Sequence, residues 1–168
     1  IDCVIFERSS TIKHLGAGIS ISPNGLNILK KLDLIDQIKK ISGNPKRTYF
    51  YNELKEITSL PVNIVTTSRG SLYKALLNSY LSKKGEILFN HELNDIDLHK
   101  KKINFTNGFS FHVNHIVASD GLNSKCRKIA FKDDDKPFYS GYSVWRSILS
   151  MDQKNIEFYL GKNFHSVV

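Results

Sequence analysis

Ala118-Ser119-Asp120-Gly121-Leu122-Asn123-Ser124-Lys125-Cys126-Arg127 decides how this chain is read. An apolar run, Val113 to Val117, precedes it and reads as a buried strand. A short amphipathic segment ending near Phe131 follows it. An acidic residue and a glycine therefore stand where a strand gives way to a helix. In open α/β sheets, ligands bind at that edge, at the carboxyl ends of the strands. Gly121 permits tight turning of the backbone there. Asp120 can accept hydrogen bonds from a ribose, an amide or a hydroxyl.

Upstream of this stretch the pattern is one α/β unit, a helix and a run of strands. Ile1 to Phe6 is apolar and ends in Glu7 and Arg8, as a buried parallel strand would. Ser9 to Gly18 reads as a loop and Ile19 to Ile21 as a brief extended piece. Ser22 is placed as an N-cap and Pro23 as an early helical residue. Leu26, Leu29 and Leu32 keep helical spacing, and a short helix covers Leu34 to Ile41. Arg47 to Tyr51 and Lys55 to Thr58 alternate like a hairpin, and Pro61 to Thr66 is extended. Leu72, Ala75, Leu76 and Tyr80 share one face of the clearest helix, which Gly85 should stop. Glu86 to Phe89, Leu93 to Leu98, Ile103 to Phe105 and Phe109 to Ile116 form a β-meander. Lys100-Lys101-Lys102 and Asn107-Gly108 supply its turns. Lys132 to Lys136 is a charged linker, and Phe138 to Leu149 reads as a strand.

The bulk numbers bound the class. The 168 residues suffice for a domain with a core. No segment approaches the ~18 apolar residues that span a bilayer, and the start does not resemble a secretory leader. Cys3 and Cys126 lack metal-ligand spacing, so a reduced, cytoplasmic setting is expected. The net charge of +8 comes from 24 basic and 16 acidic residues. The lysines are scattered and lack an aromatic platform, so they read as solvated surface and not as a nucleic-acid face. His91, His99, His112 and His115 offer no zinc spacing. Asp133-Asp134-Asp135 reads as a solvated loop. No metal site, membrane contact or nucleic-acid partner is expected, and oligomeric state is not legible. Both ends run through strand-like sequence, as an internal piece of a longer protein would.

Three further groups of residues can carry chemistry. Glu7, at a strand end, can accept two hydrogen bonds from a vicinal diol, although a surface charge pair with Arg8 is the plainer reading. Gly16-Ala17-Gly18-Ile19 lets a backbone approach a flat or anionic ligand, or is simply a flexible turn. Arg69 opens a helix against the macrodipole, so it either reaches for an anion or snorkels into solvent.

These residues, in this order, resemble the FAD-dependent aromatic-ring hydroxylases, the single-component flavoprotein monooxygenases of salicylate hydroxylase type. Asp120, Gly121, Ser124 and Arg127 fill the fixed places of that family's D-G-x-x-S-x-x-R. Arg69 and Leu72 match its R-x-x-L, and Gly141, Tyr142, Trp145 and Arg146 match its G-Y-x-x-W-R. The resemblance implies an α/β fold, an incomplete Rossmann-like FAD-binding domain of glutathione-reductase type with a β-meander. Residues 1–136 would form that domain, and 137–168 would begin a sheet-based substrate domain.

It also implies FAD as cofactor, NAD(P)H as co-substrate, and O2 and a small aromatic compound as the reacting partners. In that chemistry NAD(P)H reduces the flavin, the reduced flavin captures O2 as a hydroperoxide, and the terminal oxygen goes to the ring. The implied cofactor-binding residues are Glu7, Arg8, Ala17, Gly18, Arg69, Leu93, Asp120 and Gly121. Ser124 and Arg127 would hold the shape of their turn, and Cys126 would fill space. Some members place a histidine base after the glycine segment; Ser20 and Ile21 stand here, so no catalytic residue is assigned. The G-x-G-x-x-G turn is absent from the chain, as is the later G-D segment, so the chain alone should bind FAD weakly or not at all. An NAD(P)-dependent dehydrogenase would use Glu7 equally well, and a truncated non-catalytic remnant stays open beside it.

Overall fold

The computed structural model describes residues 2–12, 16–53, 55–132, 136–148 and 151–168. Its elements are β1 (Val4–Phe6), β2 (Gly18–Ile21), α1 (Pro23–Lys31), α2 (Ile35–Lys40), β3 (Arg47–Asn52), β4 (Lys55–Pro61) and β5 (Val65–Ser68), followed by α3 (Arg69–Ser82). After α3 come β6 (Glu86–Leu88), β7 (Leu93–Asp97), β8 (Lys102–Phe105), β9 (Ser110–His112), α4 (Lys125–Phe131), β10 (Ile156–Leu160) and β11 (His165–Val167). The chain is α/β. It divides into two compact units, one of Ile1–Lys13 with Lys84–Val144 and one of His14–Lys83 with Trp145–Val168.

In the first unit β1 pairs in parallel with β6, and β7, β8 and β9 form an antiparallel meander. The turns follow the chemistry of their residues. Gly108 takes φ +83°, which the Asn-Gly turn requires. In the lysine turn, the Asp97 carboxylate accepts from the Lys100 backbone N–H at 2.9 Å. Phe6 from β1 packs against Phe105 and Phe111, with ring centroids 4.6 and 5.3 Å apart.

In the second unit β2 pairs antiparallel with β5. A four-stranded sheet runs β11-β10-β3-β4, with β10 parallel to β3 across a hundred residues of sequence. The core of this unit is Ile21, Leu29, Leu34, Ile38, Val65 and Ala75. Helix α3 starts under its own cap, since Ser68 Oγ accepts from the Ser71 N–H at 3.0 Å. It ends without help from Gly85: Lys84 takes the left-handed turn, at φ +62°.

Several expected elements differ. Val113 to Val117 is not a strand; β9 stops at His112, and Val117 is 91% exposed. Phe138 to Ile148 is likewise irregular, with Trp145 95% exposed. Both stretches are apolar enough to pair, but an apolar run becomes a strand only when a neighbour takes its backbone groups. Among the described residues the first stretch makes one such bond, from the Val113 N–H to the Lys101 carbonyl at 2.9 Å, and belongs to no ladder beyond it; the second belongs to none. The extended stretch set at Pro61 to Thr66 shifts to Val65–Ser68, where β2 supplies the ladder. β1 is half-buried and not buried, and Leu76 turns to solvent on α3. Leu149, Asp133, Asp134 and Asp135 lie outside the described residues, as does part of the loop read over Ser9 to Gly18.

Candidate functional site

The Asp-Gly turn of the first unit is built by its own side chains. Gly121 sits at φ +81°, in the left-handed region, and a Cβ placed there would meet nothing within 4 Å. The turn closes with the Ser124 N–H donating to the Gly121 carbonyl at 3.1 Å. Ser124 is buried and caps α4, its Oγ accepting from the Arg127 N–H at 3.0 Å. Its hydroxyl in turn donates to Asp120 Oδ1 at 2.5 Å, and Asp120 Oδ2 accepts from the Cys126 N–H at 2.9 Å. Each oxygen of the Asp120 carboxylate thus accepts a bond within its own turn. Ser124 has the shape-holding role expected of it, and Asp120 shares that role.

Burial pushes the Asp120 carboxyl up, but the bonds from Ser124 and Cys126 outweigh it and hold the group below its ordinary range. A folded value below the unfolded one means that the stabilisation is present above the unfolded pKa of about 3.9. It is lost as pH falls through the lower folded value. Asp120→Asn is therefore expected to destabilise the chain near neutral pH, and the gap to wild type should close toward pH ~3. Urea titrations of both proteins across that range measure it.

Cys126 is half-buried, so it fills space only in part. Burial and the neighbouring Asp120 charge push its thiol up to about 11. The thiolate is the reactive form, so Cys126 should resist alkylation while exposed Cys3 reacts. At pH 8 we expect iodoacetamide to label Cys3 at least roughly tenfold faster, read by peptide mass spectrometry, with Asp120→Asn narrowing the gap.

This turn lines a cleft of about 750 Å³ in the first unit, a size typical of small-molecule sites. Asp120, Gly121, Ser124 and Arg127 contribute to its wall, and Ile96, Leu98, Val113, Ile116, Ala130 and Phe131 make it largely apolar. The apolar stretch that fails to become a strand is thus one side of this cleft.

Glu7 lies just past the carboxyl end of β1. Its backbone N–H donates to the Leu88 carbonyl and its carbonyl accepts from the His91 N–H, both at 2.9 Å. Its carboxylate Oε1 accepts from the Ser9 N–H at 2.8 Å. His91, which has no zinc-ligand spacing, is placed by the fold: its ring is held edge-on to Phe105 and Phe109, each with centroids 5.0 Å away. Its Nδ1 lies 2.6 Å from the Phe89 carbonyl. Leu93 opens β7 opposite Phe105, beside an irregularity in the ladder. Arg8 is exposed in the turn that follows Glu7.

In the second unit the fold brings together two groups that are fifty residues apart in sequence. The β2–β5 register sets Gly18 opposite Ser68. The Arg69 N–H donates to the Ala17 carbonyl at 3.1 Å. A Cβ on Gly16 would lie 2.8 Å from the Arg69 Cβ, so only glycine fits there. A Cβ on Gly18 would meet only the Thr67 carbonyl, at 3.9 Å, which leaves open ground beside an exposed arginine. Among the described residues, no cluster of three His, Cys, Asp or Glu side chains is arranged to hold a metal, and no helix is long and apolar enough to cross a membrane.

No protein-family model matches the chain. A 3-amino-4-hydroxybenzoate 2-monooxygenase of Streptomyces cremeus is 25% identical over 98% of the chain and 46% of its own length. An FAD-dependent urate hydroxylase of Klebsiella pneumoniae is 25% identical over 91% of the chain and 43% of its own length. The crystal structure of 2-methyl-3-hydroxypyridine-5-carboxylic acid oxygenase superposes with a TM-score of 0.69 at 26% identity, covering 74% of this chain and 34% of that one. Klebsiella pneumoniae HpxO, crystallised with FAD and uric acid, shares the fold at a TM-score of 0.74 and 18% identity, over 99% of this chain and 46% of its own. The chain spans a little under half the length of the curated relatives it matches. Its homologues are FAD-dependent aromatic hydroxylases, the family that its ordered motifs resemble.

Proposed function

We propose that this chain is part of an FAD-dependent monooxygenase that uses NAD(P)H and O2 to hydroxylate a small aromatic substrate. The observation that carries this reading is the match to curated hydroxylases over nearly the whole chain, at 98% coverage in the first case. The relatives' names share a ring substrate: aminohydroxybenzoate, hydroxynicotinate and urate. Bound FAD would supply the redox and oxygen chemistry, and the chain's residues would hold and shield it.

The residues present fit such a group. Glu7 has lone pairs beyond the one used by Ser9 and can accept from a ribose diol. Arg8 beside it and Leu93, at the start of β7, belong to the same adenosine end in this reading. Ala17, Gly18 and Arg69 form a surface with a bare backbone and an exposed guanidinium, suited to a planar, anionic ligand. Asp120 stiffens its turn so that Gly121 can present bare backbone.

Residues 1–136 would supply part of an FAD-binding, Rossmann-like domain, and 137–168 would open the substrate-binding sheet. The pairing of β10 with β3 supports extending that sheet to the β3–β4 hairpin. Reliance on NAD(P)H fits a cytoplasmic setting.

The test is the flavin content of the natural gene product. One FAD per chain, with NAD(P)H oxidation stimulated by hydroxylated benzoates or N-heteroaromatic acids, is the expected result. Turnover with NAD(P) in a protein that takes up no flavin would instead make it a dehydrogenase. The 168-residue piece alone should stay colourless, and a stoichiometric flavin spectrum from it would refute that expectation.

A further inference from the structure

The four-stranded sheet of the second unit carries a tyrosine ladder that the flavin reading does not use. The β3–β10 register sets Tyr51 opposite Tyr159 and Tyr49 opposite Glu157. Tyr51 and Tyr159 stack with centroids 5.1 Å apart and planes 15° from parallel. Tyr49 stacks on Tyr51 at 6.3 Å. The Tyr159 hydroxyl donates to Glu157 Oε2 at 2.5 Å. All four side chains are half-buried. Cross-strand aromatic pairs commonly do no more than stabilise a sheet. A carboxylate bonded to one phenol of the stack adds a proton acceptor at the oxygen from which an oxidised tyrosine must lose its proton.

We propose that Tyr159, Tyr51 and Glu157 form a proton-coupled oxidation site, where a one-electron oxidant converts the stacked pair to a cross-linked dityrosine. The oxidant is an oxygen-derived radical in the cell. Tyr159 gives it one electron, and the phenolic proton passes to Glu157 Oε2. Tyr51 loses one electron to a second oxidant and one proton to solvent. The two phenoxyl radicals join through a new carbon–carbon bond between ortho positions. The two ring hydrogens at that bond then move to the oxygens as the rings regain aromaticity. In sum two electrons and two protons leave. Hydrogen bonding to Glu157 raises the pKa of Tyr159, and burial together with the Glu157 and Glu56 charges raises that of Tyr51. Both phenols therefore stay protonated at neutral pH, and oxidation needs a partner that takes the proton. The site does not depend on whether the chain binds flavin.

The chain offers its own controls. Tyr139 and Tyr142 are 74% and 82% exposed, so oxidation governed by access alone would fall on them. Trp145 is replaced by phenylalanine so that it does not drain the oxidising equivalents. The Trp145→Phe chain is illuminated with tris(bipyridine)ruthenium and persulfate, and its peptides are mapped by mass spectrometry. The expected main product joins the peptide holding Tyr51 to the one holding Tyr159, several-fold above any product of Tyr139 or Tyr142. Tyr159→Phe should abolish it while keeping the stacked ring, and Glu157→Gln, nearly isosteric, should lower it several-fold with an unchanged circular-dichroism spectrum. Tyr51→Phe serves as the second variant if either of these fails to fold, and should also abolish the product. Oxidation falling mainly on Tyr139 and Tyr142, or an undiminished cross-link in folded Glu157→Gln, would overturn the proposal.

Discussion

Ile38→Ala is expected to cost about 3 kcal/mol of folding stability, within the usual range for emptying a core isoleucine site. Ile38 is the most deeply buried side chain among the described residues of the second unit, at 0% exposure. It sits on a helix of only six residues, α2, whose N-cap makes no side-chain bond. Such a helix has little stability of its own. It is held because Ile38 and Leu34 reach the cluster formed by Ile21, Leu29, Val65 and Ala75. Truncation removes the apolar contact and leaves a cavity that a β-strand, β5, and a neighbouring helix, α3, can close only in part. Ile38→Val should cost about 1 kcal/mol. Urea denaturation of both variants measures the difference, and hydrogen exchange in α2 locates it. An Ile38→Ala loss under about 1 kcal/mol would mean that the site collapses freely and that the core is centred elsewhere.

What could be read in the sequence was local, and what could not was pairing between distant segments. The β3–β4 and β8–β9 hairpins were legible because their turns lie inside the hairpin, Asn107-Gly108 being the plainest. Helix α3 was legible from its apolar spacing, although its cap at Ser68 was not recognised. The parallel β3–β10 pairing was invisible, since nothing in Arg47–Asn52 names a partner a hundred residues away. The same limit explains Val113 to Val117 and Phe138 to Ile148. Their composition suits strands, but strand formation depends on a neighbouring backbone and not on composition alone.

The site was legible in a comparable way. Asp120, Gly121, Ser124 and Arg127 were found as a motif because they lie within eight residues. The adjacency of Gly16, Ala17 and Arg69 emerges only from the β2–β5 register. The aromatic setting of His91 depends on β8 and the β8–β9 turn folding back over it, which no local pattern announces.

That adjacency gives the sharpest test of the cofactor reading, because two glycines two residues apart should behave differently. Gly16→Val should cost about 1–3 kcal/mol of stability. The new Cβ falls 2.8 Å from the Arg69 Cβ, an atom tied to the backbone that cannot swing away like a side-chain end. Relief requires parting the backbone Ala17–Arg69 bond or displacing Arg69, so FAD affinity of the natural gene product should fall about tenfold as the guanidinium loses its hold on the ligand. Gly18→Val should leave urea stability nearly unchanged, since the site is open toward everything but the Thr67 carbonyl at 3.9 Å. If flavin lies against that open ground, Gly18→Val nevertheless weakens FAD binding, because the added methyl groups occupy the ligand's place. Arg69→Gln should do the same through charge, losing roughly tenfold in affinity with little change in folding. Fluorescence titration of the apoprotein with FAD, run beside urea melts, separates the two effects. Gly18→Val binding FAD like wild type would show that this segment does not face the cofactor, and the assignment of Ala17, Gly18 and Arg69 to cofactor binding would have to be withdrawn. Loss of affinity in Gly18→Val without loss of stability has no explanation in folding, and places a ligand on the bare backbone beside Arg69.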